Sequence, residues 1–184
     1  HSTSRRQRQM CIRDRTMIHE KTCCVTGHRD IPEERTDIIR EYLYYEVISA
    51  IEDGYTRFIS GFAAGADLLF AEIVVELKEV CPIMLEAAIP HPGRMKTPDK
   101  AFQRLIRCCD VVKIHSDSYS KDCYMRRNRY MVNQSQRVIA VYDGRSTGGT
   151  AATVRYAKGK DVRVVWKKMR HHIRLRHRSS SDCS

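Results

Sequence analysis

The stretch from Arg127 to Ala157, RNRYMVNQSQRVIAVYDGRSTGGTAATVRYA, constrains the fold more than any other. Val138 to Tyr142 form a short run of β-branched, apolar and aromatic residues, the composition of a strand covered on both faces. A polar-edged helix over about Asp122 to Ser135 precedes it, and Gly148-Gly149-Thr150 follow where the strand must have ended. A second helix opens on that turn and runs from Thr150 to Lys158. A backbone without Cβ atoms lets a ligand approach closely, and the free N–H groups of a helix start favour an anion. The segment therefore reads as one wall of a phosphate or nucleotide site.

The same alternation runs along the chain. Thr22 to Thr26 read as a first strand, and Glu33 to about Asp53 as a helix in which Ile39, Leu43, Val47 and Ile51 recur every four residues until Gly54. Phe58 to Ser60 form a second strand, and Gly61 and Gly65 bracket a turn. The next helix carries Leu69, Ile73, Leu77 and Val80 on one face and closes before Pro82. Ile83 to Ile89 form a third strand, Pro98-Asp99 start a helix through Cys108, and Val111 to Ile114 supply a fourth strand. His115 to Lys121 read as a loop, and Val162 to Trp166 as the last strand. Six strands alternating with five helices pair in parallel through right-handed crossovers. The predicted fold is α/β: a doubly wound, mostly parallel, Rossmann-like sheet with helices on both faces.

Charge and cysteine content narrow the class further. The formal charge of +11 is concentrated at the ends: residues 1–16 carry five arginines against one aspartate, and residues 167–184 six basic residues against one aspartate, which leaves 17–166 near +2. Residues 1–16 read as a disordered or non-native basic tail before Met17, residues 17–166 as one domain, and residues 167–184 as a disordered basic tail. An inert tail, a nucleic-acid arm and a metal-binding histidine tract compete as readings of these ends. Of the eight cysteines, Cys23-Cys24 and Cys108-Cys109 are adjacent pairs whose side chains diverge, and no C-x-x-C occurs. Buried small apolar side chains in a reducing cytoplasm are expected, with no metal site and no disulfide framework. No apolar run reaches the length of a bilayer span.

In a doubly wound sheet, ligands bind beyond the carboxyl ends of the strands, where the strand order reverses. Three glycine-bearing turns fall on that edge: Thr26-Gly27-His28-Arg29, Ser60-Gly61 through Gly65 to Asp67, and Gly148-Gly149-Thr150. None fits the dinucleotide fingerprint or the P-loop, which argues against an ordinary dehydrogenase or P-loop enzyme. Arg127 and Asn128 share a helix face with Tyr124 and Met131. The Arg127 head either snorkels to the rim or grips an anion in a bidentate fork. Asp67, in a first helical turn, either complements the helix dipole or meets a ribose hydroxyl. His28 is either an acid–base group or an exposed turn histidine. Glu72 shares a helix flank with Glu76, which favours solvation or an ion pair over catalysis.

TGHR at 26–29, SGFAAGADLLFAE at 60–72, RNRYM at 127–131 and VIAVYDGRSTGGT at 138–150 resemble the YpsA-like branch of the SLOG superfamily. That Rossmann-like group also holds the LOG phosphoribohydrolases and the DNA-processing protein DprA. The resemblance implies a domain that binds a nucleotide or a nucleotide-derived small molecule. LOG enzymes carry an R-K-x-x-M helix and a P-G-G-x-G-T-x-x-E loop; here Arg127, Met131, Gly149 and Thr150 match, Asn128 replaces the lysine and Thr153 the glutamate. A hydroxyl cannot supply the missing carboxylate. The expected ligand-binding set is therefore Thr26, Gly27, His28, Arg29, Ser60, Gly61, Gly65, Asp67, Arg127, Asn128, Gly148, Gly149 and Thr150, with catalytic residues unassigned and no cofactor. A nucleoside-monophosphate N-glycosidase using Glu72, Asp67 or His28 is the enzymatic alternative. Single-strand DNA binding as in DprA is the third reading, disfavoured by the near-neutral core and the lack of a visible aromatic-lined basic groove. Homo-oligomerisation stays open.

Overall fold

Alternation of the strand residues between two helical layers organises the molecule. The computed structural model describes residues 20–166, so the two tails and Met17 lie outside the described residues. The strands are β1 (Lys21–Gly27), β2 (Tyr55–Ser60), β3 (Met84–Ile89), β4 (Val111–Ile114), β5 (Arg137–Val141) and β6 (Asp161–Val164). Between them run α1 (Glu33–Glu52), α2 (Ala66–Lys78), α3 (Lys100–Ile106), α4 (Cys123–Gln134) and α5 (Gly149–Tyr156), with a 3-10 turn at Pro92–Lys96 before α3. Every strand pair is parallel, in the order β4-β3-β2-β1-β5-β6. The order reverses between β1 and β5, where Gly27 pairs with Val141 at the carboxyl edge.

Successive side chains on a strand point to opposite faces. Val25, Phe58, Leu85 and Ile139 accordingly join the large core under α1, α2 and α3. Cys24, Ile59, Ala88 and Val138 join a smaller core with Met131 and Val132 of α4 and with Ala157. Helix α2 is apolar nearly all round: Phe70, Ile73, Val74 and Leu77 are all buried, each worth roughly 1.5–3 kcal/mol relative to exposure. Asp99 caps α3 by accepting from the N–H groups of Ala101 and Phe102 at 2.9 and 3.1 Å.

Several boundaries differ from expectation for local reasons. The α2 stripe ends at Leu77; the helix stops at Lys78, and Val80 is 80% exposed because the helical period no longer carries it inward. Helix α3 stops at Ile106, which leaves Cys108 exposed, whereas Cys23 and Cys24 are buried as expected. The last strand stops at Val164, and the chain turns so that the Trp166 ring meets the His28 ring edge-on at 5.6 Å. Edge strand β4 has no buried residue, and Val111, Val112 and Ile114 are exposed on it beside Lys113.

Candidate functional site

The chain leaves β1 towards β2 and leaves β5 towards β6, in opposite directions, and the gap between those exits is a crevice of about 400 Å³. Thr26, Gly27, His28 and Arg29 line it from the end of β1, Asp67 from α2, Arg127 and Asn128 from α4, and Gly148, Gly149 and Thr150 from the start of α5. Three expected residues stand behind the wall. Ser60 is buried and donates to the Asp67 carbonyl at 2.8 Å, pinning the start of α2. A Cβ on Gly61 would lie 1.9 Å from Arg127 Nη1, so its absence makes room for the guanidinium. Gly65, at φ +75°, packs under the carbonyls of His28 and Arg29 and faces a neighbouring groove with Glu72.

Arg127 neither snorkels nor reaches free into the crevice. Its side chain is buried; Nη1 donates to the Gly61 carbonyl and, at 3.1 Å, to the Ala88 carbonyl, tying the ends of β2 and β3 to α4. Asp67 Oδ2 stands 4.0 Å away, and Arg127 Nε is buried without a partner. Burial pulls the guanidinium below its ordinary pKa, and Asp67 opposes that shift. Burial likewise pushes the Asp67 carboxyl up, against the pull of Arg127 and of the Ala63 N–H that it accepts at 3.2 Å. The site thus sets a buried carboxyl, its pKa raised by desolvation, beside a cation with an unused donor.

Helix α5 presents its N-terminus to the crevice. Its N-cap is Gly148, at φ +96°, so no side chain satisfies the first amides. A Cβ on Gly148 or Gly149 would meet nothing within 4 Å. Thr150 donates its hydroxyl to the Gly27 carbonyl at 2.9 Å, so that hydrogen anchors α5 to β1. Asn128 Nδ2 donates to Thr153 Oγ1 at 3.0 Å, and Thr153 donates to the Gly149 carbonyl at 2.8 Å. Asn128 and Thr153, which stand at the lysine and glutamate positions of the LOG pattern, therefore touch each other, as one neutral hydrogen-bonded chain supporting the glycine loop.

His28 is buried, contrary to the exposed-turn alternative. Its Nε2 stands 2.9 Å from Asp143 Oδ1 and accepts the Asp143 N–H at 3.2 Å. Arg145 brackets the same carboxylate, with Nη2 at 2.8 Å and Nε at 3.0 Å from Oδ2, and holds Asp143 well below the usual carboxylate range, His28 adding to the shift. Asp143 and Arg145 were not among the expected residues. The available signal was their position directly after β5, at the carboxyl edge of a switch strand. Tyr124, read only as apolar, also lines the crevice and carries the Arg29 guanidinium 5.1 Å from its ring centre. Glu72 is drawn to Arg104 at 2.5 Å and Glu76 to α1, so the flank they share is ion-paired. Among the described residues, no group of three or more His, Cys, Asp or Glu could hold a metal ion, and no helix is long and apolar enough to cross a membrane.

A family model described as the YspA SLOG family matches residues 23–169. The chain belongs to that family. The UPF0398 protein BH1768 of Halalkalibacterium halodurans is 24% identical over 160 residues, covering 80% of this chain and 82% of that protein. DNA processing protein A from Helicobacter pylori, whose solved structure concerns its single-stranded DNA binding mode, superposes with a TM-score of 0.57 at 16% identity. That likeness spans 79% of this chain and 65% of the other, and it is one of fold.

Proposed function

We propose that this SLOG domain binds a nucleotide or nucleotide-derived small molecule, with its phosphate on the N-terminus of α5. The observation that carries the reading is the bare Gly148–Gly149 backbone, with no atom within 4 Å of either missing Cβ, at an uncapped helix start inside the switch-point crevice. Exposed amides and a helix dipole attract an anion, and Arg29, exposed at the crevice, supplies a counter-charge. Asp67 is placed to accept from a sugar hydroxyl. Family membership, and a fold shared with a protein whose structure concerns single-stranded DNA, support recognition of nucleotides or nucleic acid in general.

The test is a thermal-shift screen of the whole chain against nucleoside mono-, di- and triphosphates and NAD. A ligand at 100 times its Kd stabilises the native state by about 2.7 kcal/mol, a rise of roughly 5–11 °C for a domain of this size. Gly149→Asp is the matched control. An acid at the first helical position suits the dipole and spares the fold, yet it places a negative charge where the phosphate would sit. A shift that survives in Gly149→Asp places the ligand elsewhere and sinks the reading. Single-strand DNA binding is the second reading, favoured by the fold likeness alone; oligonucleotide affinity falling steeply with salt, without any nucleotide shift, would replace the first reading with it.

A further inference from the structure

A succession of π-systems leads out of the crevice past the start of α4. Arg29 and Tyr124 both line the crevice and touch each other there. Tyr124 meets His91 with ring centres 6.0 Å apart and planes at 83°, and His91 meets Tyr119 at 5.5 Å and 80°. His91 caps the 3-10 turn after β3, Tyr119 lies in the loop after β4, and Tyr124 sits in the first turn of α4. Three separate segments of the carboxyl edge thus converge on one aromatic strip. Edge-to-face contacts hold the rings in place without stacking any two of them in parallel. Tyr119 is 66% exposed, so folding gains little from the position of its ring.

We infer that Tyr124, His91 and Tyr119 form a nucleobase-stacking subsite continuous with the anion end of the crevice. The ligand would then carry a base and not only a sugar phosphate. This inference rests on the nucleotide reading above and deepens it. Arg29 joins the two halves, lining the crevice while its guanidinium carbon stands 5.1 Å from the Tyr124 ring centre. Because every base has a π-face, such a strip ranks bases by stacking area more than by hydrogen-bond pattern, and purine nucleotides should bind more tightly than pyrimidine ones.

Calorimetric titration of the whole chain with AMP, ADP and ribose 5-phosphate tests the inference. Wild type should bind the adenine nucleotides at least ten-fold more tightly than the base-free sugar phosphate. Tyr119→Ala should weaken the nucleotides about ten-fold and leave ribose 5-phosphate within about two-fold, and Tyr119→Phe should restore wild-type behaviour. Nucleotide affinity unchanged in Tyr119→Ala but abolished in Gly149→Asp would overturn the stacking subsite and leave the crevice standing. If wild type bound neither nucleotides nor ribose 5-phosphate, the crevice reading itself would fall, and the subsite with it.

Discussion

Gly27→Ala and Gly149→Ala add the same methyl group at two crevice glycines and should have opposite consequences. A Cβ on Gly27 would lie 2.2 Å from Ala66 Cβ, 2.9 Å from Val141 Cβ and 3.2 Å from the Val141 carbonyl oxygen. None of these atoms can swing aside. Ala66 is the first residue of α2 and is held by its N–H to the His28 carbonyl at 3.1 Å, and Val141 is the register partner of Gly27 in the sheet. Relief therefore requires α2 or β5 to back away by about 1 Å, which disturbs the close packing that makes extra core methyls costly, about 1–3 kcal/mol. With three rigid neighbours the upper end applies, and at roughly 2–4 °C per kcal/mol the melting temperature should fall by about 6–12 °C. At Gly149 nothing lies within 4 Å, and alanine is the better helix former by up to about 1 kcal/mol, so melting should be unchanged or slightly higher. Nucleotide binding should weaken instead, because the methyl enters the anion seat. Calorimetric melts with and without nucleotide measure both arms. A Gly27→Ala protein melting within about 2 °C of wild type would refute the packing argument; so would a Gly149→Ala protein destabilised as much as Gly27→Ala.

Arg127→Met should destabilise by about 3–5 kcal/mol, because it strands the buried Asp67 and two strand-end carbonyls; adding Asp67→Asn should recover part of the loss in a denaturant double-mutant cycle. Asp143 and Asp67 should give pH dependences of opposite sign. Asp143 is held below the ordinary 3.8, so its stabilisation is complete above that value and is lost as pH falls through the lower folded pKa. Asp67 is raised above 3.8, so the folded state favours its protonated form, and that contribution disappears as pH rises through the raised value. Melting curves of Asp143→Asn and Asp67→Asn against pH should each lack the corresponding limb. Wild type incubated with nucleoside monophosphates should release no free base by chromatography, since Thr153 occupies the LOG glutamate position and spends its hydroxyl on Gly149; base release would return Glu72, Asp67 or His28 to the catalytic role.

The sheet was legible because its signals are local. β-branched runs bounded by glycine, and apolar side chains at helical spacing, do not depend on distant partners, and all six strands and five helices appear in the expected order. The crevice edge followed from topology alone, since parallel crossovers fix which loops share a side of the sheet. Electrostatics resisted the same treatment: His28 and Asp143 are 115 positions apart, and nothing near either residue announces the other. The aromatic strip was hidden for the same reason, its three rings arriving from three separate segments of the chain. The glycines show the limit most clearly. Gly27, Gly61 and Gly65 are bare because something already occupies the place of the Cβ, namely Ala66, the Arg127 guanidinium and the backbone of His28 and Arg29. Gly149 has nothing within 4 Å of that place, and Gly148, equally open, is glycine because its φ of +96° disfavours any side chain. In the sequence these are one signal, a glycine after a strand, yet the first group records packing, Gly148 records a backbone conformation, and Gly149 leaves space that the protein itself does not fill. Gly149, open and at an uncapped helix start, is thus the glycine at which packing and backbone conformation both leave the first amides of α5 free to meet an anion.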